Sequence, residues 1–368
     1  MPINKQIRLD QWGIYDTPNI TRYDNMSIKN QERTENKVRL SYPQDWVAYN
    51  QAQTQEKILF LELLHDLTSQ IPKQNNGRRG RPTIDIGDMI FCCCLKIYLD
   101  FSSRRTESDI KLTYDLGYID HIPHFNSILN YLNKPELKTY LVQLIHLSAL
   151  PLKDFEKTFT VDSTGFSTSM FGRWLNIRSC AKMDVINVRQ YMKCHIMSGT
   201  RTNVITHVEV TDYKTSDTNM FPTLIENTAE HFDMREVCAD KGYMSRKNFQ
   251  IVSRHGAIPF IPFKNTSISR AGGVAIWHAM YRYFKEHHDE FMQHYHQRSN
   301  VESVFSAIKR KSGDYLRTKN EIAMYNEILC KCLVHNLTCL IQEMFTLGVK
   351  IEFEENAARI FCADCKGG

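Results

Sequence analysis

The chain has 368 residues, 42% of them hydrophobic and 24% charged, with a formal net charge of +5. This balance suits a soluble globular protein with two domains and a sizeable core, and it argues against an acidic, salt-adapted surface. No apolar run reaches the roughly 18 residues of a membrane span, and Met1-Pro2-Ile3-Asn4-Lys5 carries no secretory signal, so no membrane partner is expected. Eleven cysteines, three of them consecutive at Cys92, Cys93 and Cys94, read as free thiols in a reducing cytosol.

Residues 1–40 are polar, without a sustained period, and read as a loosely ordered arm. Helical periodicity starts after Ser41-Tyr42-Pro43 and continues through Trp46, Tyr49, Ala52 and the leucines from Leu59 to Leu67. The segment from Gln74 to Pro82 is basic and punctuated by Gly and Pro. Its Arg79-Gly80-Arg81-Pro82 is similar to arms that lay arginines into a narrow minor groove, with a plain loop as the alternative. Helices are expected over 85–99, from Ser102 or Ser103 to Leu116, and from a cap at Asn126 or Ser127. Helix, turn and short helix after a basic lead are compatible with a helix-turn-helix DNA reader, or with a helical packing region. Pro135 starts a further helix and Pro151 closes the region.

From Phe155 the texture becomes alternating. Phe159 to Phe166 reads as a strand ending in a polar turn, with Asp162 at the strand's carboxyl end, where ligands gather in α/β sheets. The stretches 189–197 and 203–211 read as a hairpin around Ser198-Gly199-Thr200. A helix follows in 217–232, with Asp217 read as its cap. Arg235 to Tyr243 gives a strand with Asp240 at its carboxyl end, then a helix over 245–254. Gly256 to Phe263 is a strand that Pro259 and Pro262 restrict to a sheet edge. Helices are expected over 276–288 and 321–345.

Between these last two, His294 to Lys311 contains no Gly or Pro, and one helix is expected to run through it. At about 100° per residue, Tyr295, Arg298, Glu302 and Lys309 fall on one stripe roughly 60° wide. Val301, Phe305 and Ile308 form an apolar stripe beside it. A carboxylate among two cations and a phenol suits a metal-bound phosphodiester: Glu302 can hold the cation, and Arg298 and Lys309 can grip phosphate oxygens. An exposed helix with ordinary ion pairs is the alternative. His287, His288, His294 and His296, at the helix entrance, read as surface histidines.

This stretch resembles the Tyr-x2-Arg-x3-Glu-x6-Lys signature of prokaryotic insertion-sequence transposases with a DDE catalytic domain. Val161-Asp162-Ser163-Thr164, Lys193-Cys194-His195 and Ala239-Asp240-Lys241-Gly242-Tyr243 resemble other blocks of that family, in the same order, over about residues 80–342. The resemblance implies an α/β fold: a ribonuclease-H-like mixed sheet flanked by helices, preceded by an all-helical DNA-binding region. The divisions are then an arm (1–40), a helical DNA-binding and dimerisation region (41–152), the catalytic domain (153–345) and a tail (346–368). Asp162, Asp240 and Glu302 are implied as the metal-binding triad for Mg²⁺, with Mn²⁺ as a substitute, in a two-metal phosphoryl displacement. Tyr295, Arg298 and Lys309 are implied as phosphate contacts. Lys241, Lys193, Arg310, Lys311, Arg79 and Arg81 are further candidates for DNA contact.

The implied activity is binding of terminal inverted repeats, DNA cleavage and transfer of the 3′-OH end to target DNA. A synaptic homodimer on double-stranded DNA, cytoplasmic and nucleoid-associated, is the expected assembly. Two alternatives remain: a nuclease of the same fold without strand transfer, and a domesticated, non-catalytic DNA-binding protein. Cys362 and Cys365 have zinc-knuckle spacing but lack a second pair nearby.

Overall fold

The computed structural model describes residues 45–73, 84–168, 191–269 and 274–363. The arm 1–40, Arg79 and Arg81 of the basic segment, and Cys365 lie outside the described residues.

The chain opens on helix α1 (Trp46–Ser69), capped by Asp45, whose carboxylate accepts from the amides of Val47 and Ala48 at 3.0 Å each. Helices α2 (Ile86–Tyr98), α3 (Ser103–Asp115), α4 (Phe125–Leu132) and α5 (Leu137–Ala149) follow. In α2, Cys92, Cys93 and Cys94 are all buried free thiols. Ser102 holds the cap position of α3, as expected, but makes no side-chain cap bond. Helix α4 is capped by His124, whose Nδ1 accepts from the Asn126 amide at 3.3 Å, two residues before the nearer of the expected caps, Asn126 and Ser127.

Five strands then build a mixed sheet in the order β3-β2-β1-β4-β5: β1 (Thr158–Ser167), β2 (Tyr191–Gly199), β3 (Ile205–Asp212), β4 (Glu236–Ala239) and β5 (Ile258–Phe260). The first three pair antiparallel, whereas β4 runs parallel to β1 and β5 parallel to β4. The proline-bearing β5 is an edge strand, as its missing amide requires. Asp162 is not at the carboxyl end of its strand: β1 continues to Ser167 because β2 pairs with it along its whole length, Asp162 facing Ile196. It does stand at the end of the β1–β4 ladder, whose last pair is Val161 and Ala239. Asp162 on β1 and Asp240 just past the end of β4 are the next residues.

Helix α6 (Asp217–Ala229) packs on β2 and β3, and α7 (Arg246–Arg254) follows β4. Asp217 is not the cap of α6; Ser216 holds that position, and the Asp217 carboxylate is drawn to Lys193, 2.9 Å away. Helices α8 (Ala275–Glu286), α9 (His288–Tyr295) and α10 (Ser299–Ser312) lead to α11 (Glu321–Thr346), and α12 (Glu354–Ala363) ends the described chain. By length and composition α11 could cross a membrane, but 78% of its apolar window is buried inside the protein. It is a core helix that packs on α1, α2, α4, α5 and β3. One continuous apolar core, from Ala52 to Ile360, joins the helices to the sheet.

Candidate active site

The expected single helix over 294–311 is broken. Helix α9 ends at Tyr295, a 3-10 turn spans His296–Arg298, and α10 begins at Ser299. No Gly or Pro causes this, and the backbone keeps its right-handed twist at Tyr295, Arg298 and Ser299. Tertiary anchors hold the turn instead. His294 Nδ1 lies 3.0 Å from Glu236 Oε2 of β4, and its ring stacks on Phe260 with centroids 4.4 Å apart. His294 is therefore a tether to the sheet and not a surface histidine. Four residues on, Arg298 is pulled towards β1, and the Ser299 hydroxyl donates to the His296 carbonyl at 2.9 Å.

Arg298 is the centre of the site. Its Nη2 donates to Asp162 Oδ2 at 2.7 Å and its Nη1 to Glu302 Oε1 at 3.1 Å. Asp162 Oδ1 accepts from the Ser163 amide at 2.8 Å. Burial pushes the Asp162 carboxyl above its ordinary pKa; the Ser163 amide and Arg298 oppose this, and Asp240 adds to it. Burial works against the Arg298 guanidinium, but Asp162, Tyr295 and Asp240 outweigh it and hold its pKa above the usual value. The Tyr295 phenol is raised by burial, eased by Arg298, and raised again by Asp240 and Asp162. Asp162, Asp240, Tyr295, Arg298 and Glu302 therefore meet in one place.

Lys309 joins them from the far end of α10, donating to Thr164 Oγ1 at 2.6 Å, two residues past Asp162. Lys241 is exposed on the 3-10 turn after Asp240. Lys193, on β2 opposite Gly165, donates to Asp217 Oδ1 and to the Thr215 carbonyl, each at 2.9 Å. Arg310 and Lys311 are not brought to the carboxylates. Arg310 is exposed beside Ser306, and Lys311 turns to α1, where it donates to Glu56 Oε1 at 2.7 Å.

The donor set is all carboxylate oxygen, which fits a hard divalent cation such as Mg²⁺. Arg298 Nε, buried without a partner, and the Tyr243 hydroxyl, buried beside the Ser163 hydroxyl, border it. Among the described residues no three His, Cys, Asp or Glu side chains stand close enough to grip a metal together. The Arg298 guanidinium stands between the Asp162 and Glu302 carboxylates. Sequence reasoning passed over Tyr243, although it lies three residues after Asp240 in the same block, and it misread Asp217, whose partner is far away in sequence.

Residues 153–337 match the family model described as a transposase DDE domain. The match spans half of the chain, and the protein belongs to that family: it is a DDE transposase. No curated protein matches the sequence. Among solved structures, the chain is similar to one titled as a cryo-EM structure of a piggyBac transposase synaptic complex with hairpin DNA. Identity is 10% and the TM-score 0.39, with 84% of this chain and 81% of the other covered.

Proposed function

We propose that this transposase serves an insertion sequence, binding its terminal inverted repeats, nicking the DNA and joining the freed 3′-OH to a target strand. The observation that carries the reading is the bridge Arg298 makes between Asp162 and Glu302, with Asp240 next to Asp162 at the end of the β1–β4 ladder. The strand order, with β1 and β4 side by side at the centre, supports a ribonuclease-H-like catalytic domain.

Asp162, Asp240 and Glu302 are the residues that would hold Mg²⁺ or Mn²⁺. Such ions, when bound, supply the positive charge that activates an attacking oxygen and stabilises a leaving one. In the first step the oxygen of water attacks phosphorus, the bond from phosphorus to the 3′ oxygen breaks, and that oxygen leaves as a 3′-OH. In the second step that 3′-OH attacks a target phosphodiester, and the target's own 3′ oxygen departs. Arg298, once off the carboxylates, forms paired bonds to a phosphate, which a planar guanidinium does well. Tyr295 and Lys309 hold the backbone on either side. The exposed Lys241 and Arg310 are free to follow it, whereas Lys193 and Lys311 must first give up Asp217 and Glu56. Double-stranded DNA and a second copy of the chain are the partners, because two element ends have to be joined.

The test is cleavage of a duplex bearing the element's own terminal repeat, with Mg²⁺ or Mn²⁺, comparing the intact chain with Glu302→Gln. Nicking at the repeat end by the intact chain, and binding without nicking by the variant, is the expected result. Equal cutting by both would remove Glu302 from the triad. Nicked products that never become joined to target DNA would favour a nuclease, and repeat binding without any metal-dependent cleavage would favour a non-catalytic DNA-binding protein.

A further inference from the structure

The phenol of Tyr243 is a buried polar group that the reading above leaves unused. Tyr243 is only 2% exposed, and its hydroxyl, which lies beside the Ser163 hydroxyl, donates to no acceptor among the described residues. A buried donor without an acceptor costs free energy, so such groups call for an explanation.

The residue is held firmly in that position. It ends the 3-10 turn that follows Asp240, and its amide donates to the Asp240 carbonyl at 2.9 Å. Inside the protein, Asn248 Nδ2 donates to the Tyr243 carbonyl at 2.7 Å. The Thr218 hydroxyl fixes Gly242 at 3.0 Å, and the ring packs on Phe221 with centroids 5.6 Å apart. The phenol lies beside the Ser163 hydroxyl, one residue past Asp162. Burial raises the pKa of the phenol, Asp162, Asp217 and Asp240 raise it further, and the Ser163 hydroxyl beside it works the other way. Of these three acids, Asp217 is already occupied by Lys193 at 2.9 Å, with His195 at 3.6 Å. Asp162 takes its side-chain bond from Arg298, the group that a phosphate would draw away.

We propose that Tyr243 is a positioning residue of the carboxylate site: its phenol donates to Asp162 when Asp162 turns to a divalent cation, taking over the hydrogen bond that Arg298 makes here. A phenol suits this exchange because it carries no charge. It fixes the carboxylate without competing with a cation, which a guanidinium cannot do. The proposal rests on the reading of Asp162 as a metal ligand.

The experiment is calorimetric titration of Mn²⁺ into the full chain without DNA, for the wild type, Tyr243→Phe, Asp162→Asn and Phe221→Leu. Tyr243→Phe keeps the ring and its packing, so its metal-free melting temperature should match the wild type. Its Mn²⁺ affinity should fall about tenfold, the usual effect of removing an outer-shell partner of a metal ligand. Phe221→Leu loosens the ring contact but keeps the phenol, and should bind Mn²⁺ nearly as the wild type does. Unchanged affinity in Tyr243→Phe, with binding lost in Asp162→Asn, would overturn the proposal and leave the site reading intact. An equal loss in Phe221→Leu and Tyr243→Phe would also overturn it, since packing and not the hydroxyl would then be responsible. Full Mn²⁺ binding by Asp162→Asn would instead sink the reading of Asp162 as a ligand.

Discussion

The Arg298 guanidinium lies between two carboxylates, a place that one cation at a time can hold. Its two bonds are unequal. Asp162 and Arg298 have side chains 17% and 21% exposed, whereas Glu302 is 64% exposed, so water screens the Glu302 contact and Asp162 is the stronger anchor. A hydrogen bond to a charged group contributes about 1.5–3 kcal/mol, roughly a tenfold change in an equilibrium constant or more. Arg298→Ala is therefore expected to bind Mn²⁺ about tenfold tighter than the wild type in the absence of DNA. The same variant should retain repeat DNA less well, because the proposed phosphate grip is gone. Calorimetry and a gel-shift titration check the two halves, and an unchanged Mn²⁺ affinity would show that the guanidinium does not compete with the metal. At this scale the sequence was partly legible. Arg298 and Glu302 are four apart, so their contact follows from helical spacing. The bond from Arg298 to Asp162 spans 136 positions, and only the sheet brings its ends together. Lys193 and Asp217 were legible as charges but not as partners, for the same reason.

Helix α10 presents Glu302 near its start and Lys309 near its end, so its ends have to be fixed as well as its face. The far end is fixed from outside. Lys331 of α11, buried, donates from Nζ to the carbonyls of Ser312, Gly313 and Tyr315 at 2.7, 3.0 and 3.0 Å. Gly313 itself has a φ of 78°, which a side chain would strain, and this lets the chain leave the helix at once. The neighbouring Glu327 accepts from the amides of Arg317 and Thr318, so α11 clamps the whole turn. Burial pulls the Lys331 pKa down to about 8, while Glu327 and Asp100 oppose it, so the ammonium is still charged at neutral pH. Lys331→Met removes three donors at once and leaves buried carbonyls unpaired. A destabilisation of about 2–5 kcal/mol is expected, read by denaturant unfolding of the full chain. A loss under about 0.5 kcal/mol, the size of an ordinary surface substitution, would mean that the turn holds without the clamp. Elements with a clear period were legible: the edge strand β5, the hairpin strands and α11 lie where alternation or apolar spacing puts them. The break at 296–298 was not, because local composition favours one helix there and the anchors are His294 on Glu236 and Arg298 on Asp162. The length of β1 was missed for the same kind of reason: its polar second half is held as strand by pairing with β2.

Composition separates a helical first part from an alternating second part, but packing joins them. Helix α11, late in the chain, lies against α1, α2, α4 and α5, and Asn326 Nδ2 closes on the carbonyls of Leu132 and Lys134. Helical periodicity shows that each of these helices has an apolar face, but not which partner covers it. Where α11 meets the hairpin side of the sheet, it carries Glu343 towards Glu156 and Arg201. Burial, helped by Glu156 and opposed by Arg201, lifts the Glu343 pKa to about 7. An unfolded glutamate titrates near 4.3, so between about pH 7 and 4.3 the folded chain holds a proton at this site that the unfolded chain has released. The contribution of Glu343 to stability therefore rises as pH falls through that window, and above it the buried charge counts against folding. Glu343→Gln keeps the shape and removes the charge. Its melting temperature should exceed that of the wild type by about 1–3 °C at pH 8, and the gain should shrink towards zero by pH 4.5. Melting curves of both chains across this range check the sign. A gain that stays constant with pH would mean that Glu343 is ionised alike in the folded and unfolded chains, and that the junction between helices and sheet tolerates its charge.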